Sequence, residues 1–389
     1  MANWEQIELL KQGVSKWNEW RAKNQMVDVD LRIAELQGMD LRGADLRMAD
    51  LSGANLSRAN LSGAQLSLAI LNEANLEEAD LGIPNIDSDD GFEGANLSSS
   101  DVRKANLRKA RLVCANLSWA DLSGANLEEA NLEEANLGIA NLSGAILQKA
   151  HLLRTDLYNT NLSRADLREA QISHLILIDT DLREANLTGC RINSVVDAHA
   201  QWRGSQDYDL IVTYKSQPTI IVDGFAMSLL IQLLLRDRSL WGVIERVTAR
   251  VGLILALCID ERKKVINVLK SELRKLGYVP ITFDCEQIEK REYKDWLDIL
   301  TRLAKFVIID MTAAKDIAQE LPFLVSQHPS VPIQPVVQSS ADDSIIPEEL
   351  AASPSVLETY HYQQVEDIQR DASALIARAE QKAQELAGR

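Results

Sequence analysis

A leucine or a close substitute returns at every fifth position from Leu31 to Ile192, and this period constrains the fold more than any other feature of the chain. The residue two places before each of these apolar residues is nearly always alanine. A period of five matches neither the turn of an α-helix nor the alternation of a flat strand. It fits a chain that turns a corner every five residues, with leucine and alanine inside and the other three residues facing solvent.

Four such sides make one square coil of twenty residues. The side 54–58, Ala-Asn-Leu-Ser-Arg, is typical. The segment 29–197 resembles the pentapeptide-repeat family, whose pattern is A-[DN]-L-x-x, and this resemblance implies a right-handed quadrilateral β-helix. Because neighbouring coils stack at strand spacing, about 4.8 Å, roughly eight coils would form a rod about 40 Å long.

The proposed coil predicts which outward side chains are neighbours, because residues twenty positions apart stack on one face. Opposite charges on adjacent strands stabilise such a register, whereas like charges do not. Outward Trp119 and Ile139 are also twenty apart and form a candidate docking spot. The predicted charge neighbours are Arg108 with Glu128, Glu134 with Arg154, and the alternating series Lys109, Glu129, Lys149 and Glu169.

One acidic tract interrupts the repeat. The period holds to Ile86, slips by one residue at 87–91 and resumes at Phe92. Residues 59–102 contain nine acidic side chains and neither lysine nor arginine. The tract is either a solvated acidic face with a surface loop or, as in some pentapeptide-repeat proteins, an imitation of DNA that binds topoisomerases. The spacing of its carboxylates does not match a calcium loop, so we predict no metal site.

Both flanks of the repeat are predicted to be helical. Residues 1–28 place apolar side chains three or four positions apart, which is helical spacing. Such a helix would cover the first coil, whose end otherwise exposes core and strand edges, and we assign Trp17 and Trp20 to this cap. Residues 198–250 are predicted to be a helical connector, in which 201–217 form a loop or irregular capping segment, 219–222 form a short apolar run, and helices follow from Phe225. These helices would seal the far end of the rod or form a homodimer contact.

Residues 251–389 follow a different pattern, in which short apolar runs alternate with helical segments. Successive βα units predict a doubly wound parallel sheet of the flavodoxin type. The predicted strands are 253–259, 279–283, 306–309, 331–337 and 356–360, and a long helix over 365–386 closes the domain.

The predicted ligand site lies beyond the carboxyl ends of these strands, where doubly wound sheets bind their ligands. The sequence contains neither a glycine-rich dinucleotide fingerprint nor a phosphate-binding loop, which excludes those two standard sites. The candidate binding residues are Asp260, Arg262, Asp284, Asp310 and Thr312.

The stretch 304–312, followed by Gln319-Glu320-Leu321, resembles a segment of TIR-like and nucleoside-deoxyribosyltransferase-like domains, and the resemblance covers 252–362. It implies that Glu320 acts on the glycosidic carbon of a nucleoside or of NAD, which makes NAD the candidate substrate. A carboxylate stabilises or traps the oxocarbenium character of such a reaction. Asp284 or Asp260 would hold ribose hydroxyls, and Arg262 a phosphate.

These acidic residues also have plain structural explanations. Glu320 would suit the start of a helix, where the dipole stabilises a carboxylate. An Asp at a strand end is also a common helix or turn cap. The sequence therefore leaves open whether the domain is an enzyme.

Charge and composition exclude several classes of protein. The net charge of −16 disfavours binding to nucleic acid or to an anionic membrane. Four scattered cysteines with no C-x-x-C spacing predict a reducing compartment, and neither a signal peptide nor a spanning segment is evident, so we expect a cytoplasmic location.

Together these patterns predict a sensor–effector protein of bacterial signalling or antiphage defence. The β-helix would mediate protein interaction or self-assembly, and the TIR-like domain would bind or hydrolyse a nucleotide such as NAD. Two alternatives remain open at this point. One is a non-catalytic interaction scaffold, and the other is a DNA-mimicking protein that binds topoisomerases.

Overall fold

The computed structural model of the chain describes residues 3–83, 94–213, 217–236, 250–284, 290–312, 321–339 and 348–387. The chain forms two compact units, Met1–Tyr208 and Asp209–Arg389. No helix among these described residues combines the length and the apolar character needed to cross a membrane.

In the first unit the chain turns a corner every five residues. In the side 54–58, Asn55 forms a parallel bridge to Asn75 in the next coil. The amide of Ala59 then donates to the carbonyl of Leu56 at 3.0 Å, which closes a tight turn. Arg58, third in this turn, has a φ of 59°. A positive φ at this position defines a type II turn, so each corner holds one residue in the left-handed region.

The inward leucine and alanine columns form the core of the first unit. Leu56 and Ala59 are completely buried, as are their equivalents along the rod. Near the end of the rod, Thr and Cys take alanine positions and satisfy their polar atoms locally: Thr160 Oγ1 donates to the carbonyl of Leu137 at 2.8 Å. Burial raises the pKa of the Cys190 thiol, which keeps it in its neutral form.

The last coils contain short regular strands. On the third side of consecutive coils, β1 (His151–Leu153), β2 (Gln171–Ser173) and β4 (Arg191–Asn193) pair in parallel. On the fourth side, β3 (Ile176–Ile178) pairs with β5 (Val196–Ala198). Leu175, at a position that alanine usually occupies, is buried.

The register confirms the twenty-residue coil, with one exception at the acidic break. Gln65 bridges Asn96, thirty-one positions away instead of twenty, so this coil contains eleven extra residues. The amide of Ala95 donates to the carbonyl of Leu81 at 2.7 Å, which closes the corner as if the extra segment were absent. Eleven residues are one more than two five-residue repeats, which explains the one-residue slip of the leucine period. Ile86, Phe92 and the break 87–91 lie outside the described residues.

The N-terminal cap consists of two helices, whereas one was predicted over 1–28. They are α1 (Trp4–Lys11) and α2 (Val14–Lys23), and Gly13 between them has a φ of 116°, which favours glycine. The assignment of Trp17 to the cap core is confirmed, because its ring is fully buried and its Nε1 donates to the carbonyl of Asp45 at 2.8 Å.

The second unit is built on a seven-stranded mixed sheet. Five parallel strands follow the order β9-β8-β10-β11-β12, and an antiparallel pair extends the sheet beyond β9 in the order β6-β7. The strands are β6 (Leu210–Ile211), β7 (Ile220–Val222), β8 (Val251–Ala256), β9 (Val279–Asp284), β10 (Phe306–Asp310), β11 (Ile333–Gln338) and β12 (Tyr360–Tyr362).

Helices follow most strands of this sheet. They are α3 (Phe225–Arg236), α4 (Asp260–Lys275), α5 (Lys290–Leu303), α6 (Leu321–Gln327), α7 (Glu348–Ala351) and α8 (Val365–Ala387). Helices α4 and α8 share one core with alternate residues of the strands, among them Ile254 and Ile308. Helix α5 contacts α3 and α6. The sequence predicted the parallel strands and the closing helix, but not the antiparallel pair.

The prediction for the connector 198–250 assigned no strand to its first half, whereas the structure has two strands there. Within it, β6 and β7 are strands, because Ile220 and Val222 alternate inward and the main chain of β7 pairs with β9. Helix α3 agrees with the helical pattern that begins at Phe225. The second predicted helical stripe, within 237–249, lies outside the described residues.

Candidate functional site

The sequence-predicted residues of the second unit lie at the carboxyl ends of the parallel strands. Asp284 and Asp310 are the last residues of β9 and β10, and Asp260 begins α4 after β8. The structure brings Arg262, Asp310 and Thr312 into direct contact. Asp260 and Asp284 make other contacts.

Arg262 is the centre of a buried polar cluster. Its Nε and Nη2 donate to Oδ2 of Asp310 at 2.9 and 2.6 Å, and its Nη1 donates to Gln338 Oε1 at 2.8 Å. Its Nη2 also contacts Thr312 Oγ1 at 2.9 Å and the hydroxyl of Tyr362. Arg262 is only 5% exposed and Asp310 only 4%. The guanidinium therefore contacts protein groups on several sides, and its predicted contact with a phosphate stays a prediction.

The charges of this cluster compensate each other. Burial lowers the pKa of Arg262, but the nearby Asp310 and Tyr362 outweigh that effect, so its pKa stands above the usual value. Burial, together with the Asp310 carboxylate, raises the pKa of the Tyr362 hydroxyl. Arg262 thus stays charged and Tyr362 neutral near neutral pH. A buried ion pair of this kind is costly to break, since removing one partner leaves the other charge unpaired.

Sequence reasoning missed Gln338 and Tyr362. Each ends a parallel strand, β11 and β12 respectively, in the same way that Asp310 ends β10. The amide of Gln338 also donates to Thr312 Oγ1 at 2.9 Å, which ties β11 to the turn after β10. Asp310 was selected because it is a polar residue at the carboxyl end of a parallel strand. The same criterion, applied to every strand, would have selected Gln338 and Tyr362.

The other predicted residues have separate partners. The Asp260 side chain is 93% exposed and pairs with Lys263 at 2.7 Å, and this contact lowers the pKa of the carboxyl. Asp284 Oδ1 accepts a hydrogen bond from the amide of Cys258 at 3.0 Å, which fastens the end of β9 to the loop after β8. Asp260 thus pairs within the first turn of α4 but does not cap it, because the N-cap is Ile259 and no side chain caps this helix.

Glu320 lies outside the described residues, so its catalytic role stays a prediction. It directly precedes α6, whose second residue, Pro322, falls in the first turn, where proline is tolerated. Among the described residues, no group of three or more His, Cys, Asp or Glu side chains could hold a metal ion.

In the rod, cations of neighbouring repeats contact the acidic tract. Glu77 lies 3.0 Å from Arg108 and Asp80 lies 2.9 Å from Arg111, thirty-one positions further along the chain. The described carboxylates Glu73, Glu78 and Asp101 pair with Lys104, Arg58 and Arg103. Asp87, Asp89, Asp90 and Glu93 lie outside the described ranges. The described carboxylates of the tract are thus paired with cations of neighbouring repeats, and imitation of DNA stays a prediction.

Most of the predicted charge neighbours are confirmed. The pairs and their distances are Arg108–Glu128 at 3.4 Å, Lys109–Glu129 at 3.7 Å, Lys149–Glu169 at 3.8 Å and Arg154–Glu134 at 3.0 Å. Exposed pairs of this kind contribute little to stability individually. Their main effect is to favour the twenty-residue register over its alternatives.

The central part of one face of the rod carries no charge. The fourth face, as we name it, consists of the stacked sides 44–48, 64–68, 95–99, 115–119, 135–139, 155–159, 175–179 and 195–199, which backbone pairing connects in this order. Its four central sides, from 64–68 to 135–139, contain no charged residue, whereas each other face carries charges in the same coils. Leu68 is 57% exposed there and Trp119 63%.

The backbone places the predicted docking spot on this face. The amide of Trp119 donates to the carbonyl of Gly138 at 3.0 Å, so Trp119 and Ile139 occupy equivalent corners of adjacent coils. Leu68 and Met48 hold the same corner position nearer the N-terminus. An exposed apolar column of this kind on an uncharged face is typical of a surface that binds another protein.

Comparisons with known proteins identify the first unit. The model of the pentapeptide-repeat family matches eight copies over residues 49–82, 92–128, 125–164, 140–171 and 165–195. These matches do not reach the second unit. No curated protein matches the chain.

Several solved structures are similar to the chain. HetL, a pentapeptide-repeat protein involved in heterocyst differentiation regulation in the cyanobacterium Nostoc sp. strain PCC 7120, is 28% identical over 51% of this chain and 96% of its own, with a TM-score of 0.21. Rfr23 from the cyanobacterium Cyanothece 51142 is 30% identical over 34% of this chain and 90% of its own, with a TM-score of 0.23. QnrB1, a plasmid-mediated fluoroquinolone resistance protein, is 22% identical over 48% and 83%, with a TM-score of 0.29.

The repeat sequence identifies the family of the first unit, because superpositions with TM-scores this low do not establish a shared fold. The family pattern, its eight matched copies and the five-residue sides of the coil agree with one another. The repeat segment of the chain, within residues 49–195, belongs to the pentapeptide-repeat family.

Proposed function

We propose that this protein is an interaction scaffold whose rod binds another protein chain through the fourth face. The observation that carries the proposal is the uncharged strip between 64–68 and 135–139, with Leu68 and Trp119 more than half exposed. Large apolar side chains cost free energy in water, and a partner surface that covers them recovers it. Tryptophan is also the residue type most often found at the energetic centre of protein interfaces.

The other residues of the described rod already have structural roles, and this supports the proposed function. The inward leucines and alanines fill the core, and recurrent contacts fix the outward carboxylates, as where Asp40 holds Arg42 at 2.6 Å. Among the described residues of the rod, no group of three or more His, Cys, Asp or Glu side chains could hold a metal ion. Surface recognition is the function of the rod that agrees with these features.

A photo-crosslinking amino acid placed at position 119 tests the proposal in the organism that encodes the protein. The matched control carries the same amino acid at position 149, an equivalent corner with positive φ on the second face. We expect covalent adducts with a protein at position 119 and not at position 149. An equal yield at the two positions, or none at either, would contradict the proposal.

A second candidate function belongs to the second unit, which we propose binds or cleaves a nucleotide such as NAD, as in TIR-like domains. The observation that favours it is the strand order β9-β8-β10-β11-β12, with Asp284, Asp310 and Thr312 at the carboxyl ends. This is the edge at which doubly wound sheets bind ligands. Here Arg262 acts as a positioning residue, because its contacts with Asp310 and Tyr362 hold three strand ends together.

The carboxylate of Glu320 would supply the chemistry of that reaction. Loss of nicotinamide leaves positive charge on the ribose, which a carboxylate stabilises or traps before water completes the hydrolysis. We expect wild-type protein at high concentration to consume NAD, and Glu320→Ala to lose this activity while keeping its circular dichroism spectrum. Glu385→Gln, in a surface pair with Lys382 near the end of α8, is the control and should retain activity. Absence of turnover in wild-type protein, crowded or dilute, would leave the scaffold as the function.

A further inference from the structure

We propose that the partner of the fourth face is a protein segment that carries lysine or arginine beside apolar side chains, and that these cations lie over the last three coils of the face. This inference rests on the proposed scaffold function and specifies the chemistry of its partner. The sides 155–159, 175–179 and 195–199 carry it, through their exposed apolar residues, their unpaired carboxylates and their place next to the uncharged strip.

Two apolar side chains of these coils stand where the repeat usually has aspartate or asparagine. Ile176 and Val196 pair in register across β3 and β5, and each is 56% exposed. In an earlier coil the polar residue at this position supports its own corner, since Asn136 Oδ1 accepts a hydrogen bond from the amide of Gly138 at 2.9 Å. Isoleucine and valine give up this bond and leave apolar surface in water, which costs free energy. With the exposed ring of Tyr158 in the adjoining coil, they form an apolar patch typical of a protein-binding surface.

The same three sides carry carboxylates that have no cation partner. The sides contain three aspartates and one histidine, and neither lysine nor arginine. Asp156 and Asp179 are exposed, and among the described residues neither forms an ion pair. Elsewhere on the rod most outward carboxylates have a cation partner, as where Glu184 contacts Arg164 at 2.8 Å. A partner that brings a cation to Asp156 and Asp179 therefore supplies what the rod does not.

The third aspartate of these sides has local partners instead. Asp197 accepts hydrogen bonds from the amide of Ala200 at 3.0 Å and from Trp202 Nε1 at 2.9 Å. Its carboxylate thus holds the turn that follows the side. We therefore assign the recognition of cations to Asp156 and Asp179.

The backbone places these groups within reach of the uncharged strip. The amide of Asn159 donates to the carbonyl of Ile178 at 2.9 Å, and the amide of Asp179 donates to the carbonyl of Ala198 at 3.1 Å, so the three sides occupy consecutive coils. Asp179 is three coils from Trp119 at the same corner, a distance of about 14 Å. One short segment of a partner can cover Trp119 and reach both carboxylates.

The charge of the fourth face changes along the rod, and this change orients the partner. At the N-terminal end Arg47 contacts Asp45 at 2.7 Å, which balances the charge of that side. The four sides from 64–68 to 135–139 are uncharged, and the last three are negative. Protein interfaces place apolar side chains at the centre and charges at the rim, and complementary charges fix the orientation. The partner segment therefore binds with its lysine or arginine toward the C-terminal end of the rod.

Removal of the two carboxylates tests this assignment. The variant Asp156→Asn/Asp179→Asn preserves the fold, because asparagine already occupies the equivalent positions of neighbouring coils, as Asn136 and Asn159. The photo-crosslinking amino acid at position 119 reports binding in the organism that encodes the protein. We expect the variant to lower the yield of protein adducts at least fivefold. The same amino acid at position 176, next to the carboxylates, should capture a partner peptide that contains lysine or arginine, and a captured peptide without either would contradict the proposal.

The matched control is Glu129→Gln/Glu169→Gln, which removes the same number of charges from the second face, opposite the fourth. It should leave the yield at position 119 unchanged, and circular dichroism verifies that both double variants are folded. A yield that Asp156→Asn/Asp179→Asn does not lower, or that the two double variants lower equally, would overturn the cationic partner but keep the scaffold function. Absence of adducts from both positions 119 and 176 would overturn both proposals.

Discussion

Asp310 receives two hydrogen bonds from the guanidinium of Arg262, at 2.9 and 2.6 Å, and both side chains are almost completely buried. The pair joins the first turn of α4 to the end of β10, and Gln338 and Tyr362 extend it to the ends of β11 and β12. It occupies the edge of the sheet where a ligand was expected, and it makes that edge rigid.

Removal of one member of this pair is expected to destabilise the second unit strongly. Asp310→Ala leaves a buried guanidinium without its counter-ion, which costs about 3–5 kcal/mol. Hydrogen exchange of β10 and β11 measures the loss. The double variant Arg262→Met/Asp310→Leu should recover most of it, since an apolar pair needs no compensation. The exposed pair provides the control: Lys263→Ala should leave exchange unchanged, and equal effects of the two single variants would contradict the role of burial.

The extra segment of the third coil is expected to be dispensable for folding. Deletion of 84–94 joins Ile83 to Ala95 and restores a coil of twenty residues. We therefore expect a folded rod with an equal or higher melting temperature, because the ends of an inserted segment no longer need to be brought together. Thermal unfolding followed by circular dichroism measures it.

Deletion of 84–93 is the matched control for that variant. It leaves one residue too many, which forces the following side out of phase and turns Leu97 away from the core. We expect this variant to melt at a markedly lower temperature. If the two deletions behave alike, the corner assignment at Ala95 is wrong.

The rod is expected to lose stability in acid. A hydrogen bond from the arginine two residues further on lowers the pKa of six aspartates: Asp30, Asp40, Asp45, Asp101, Asp166 and Asp181. Because the folded state binds these protons less tightly than the unfolded state, their contribution is complete above the ordinary pKa of 3.8. It is lost as the pH falls through the lowered values. Acid titration of the melting temperature measures the slope, which should be shallower in Asp40→Asn/Asp181→Asn.

The antiparallel pair β6–β7 depends on a cluster of ion pairs with α4. Arg274 contacts Asp223 at 2.5 Å and Asp209 at 3.0 Å, and Lys270 also contacts Asp209, at 2.9 Å. Arg274→Met removes charge-assisted hydrogen bonds worth about 1.5–3 kcal/mol. Amides of β6 and β7 should then exchange roughly tenfold faster or more, while those of β10 do not change. Uniform acceleration across the sheet would show that the cluster stabilises the whole unit instead.

The sequence predicted best those structural features that are set by residues at a fixed spacing along the chain. The twenty-residue register, and with it the pairs of Arg108 and Arg154, followed from arithmetic on the leucine period. In the second unit, the buried runs gave the five parallel strands, because both faces of such strands are apolar. Local spacing sufficed in both cases.

Other features depend on partners that are distant in sequence. Ile220 and Val222 became part of the sheet by pairing with β9, some sixty residues away. Arg262 and Tyr362 are one hundred positions apart, and nothing in either neighbourhood indicates their contact. The sequence therefore placed candidate binding residues at the strand ends, where Asp284 and Asp310 lie, but it did not predict the buried contacts of Arg262, because burial and pairing emerge only when separate strands come together. Their binding of a ligand stays a prediction.

The closed corner at Ala95 has a consequence for how such a rod can change. The chain leaves and re-enters the coil at neighbouring backbone atoms, with Ala95 bonded to Leu81 just as every other corner is bonded. The coils on either side therefore keep the same stacking whatever the length of the excursion. Residues can therefore be inserted or deleted at a corner of this type without changing the stacked coils. Recognition loops can thus evolve while the rod stays constant.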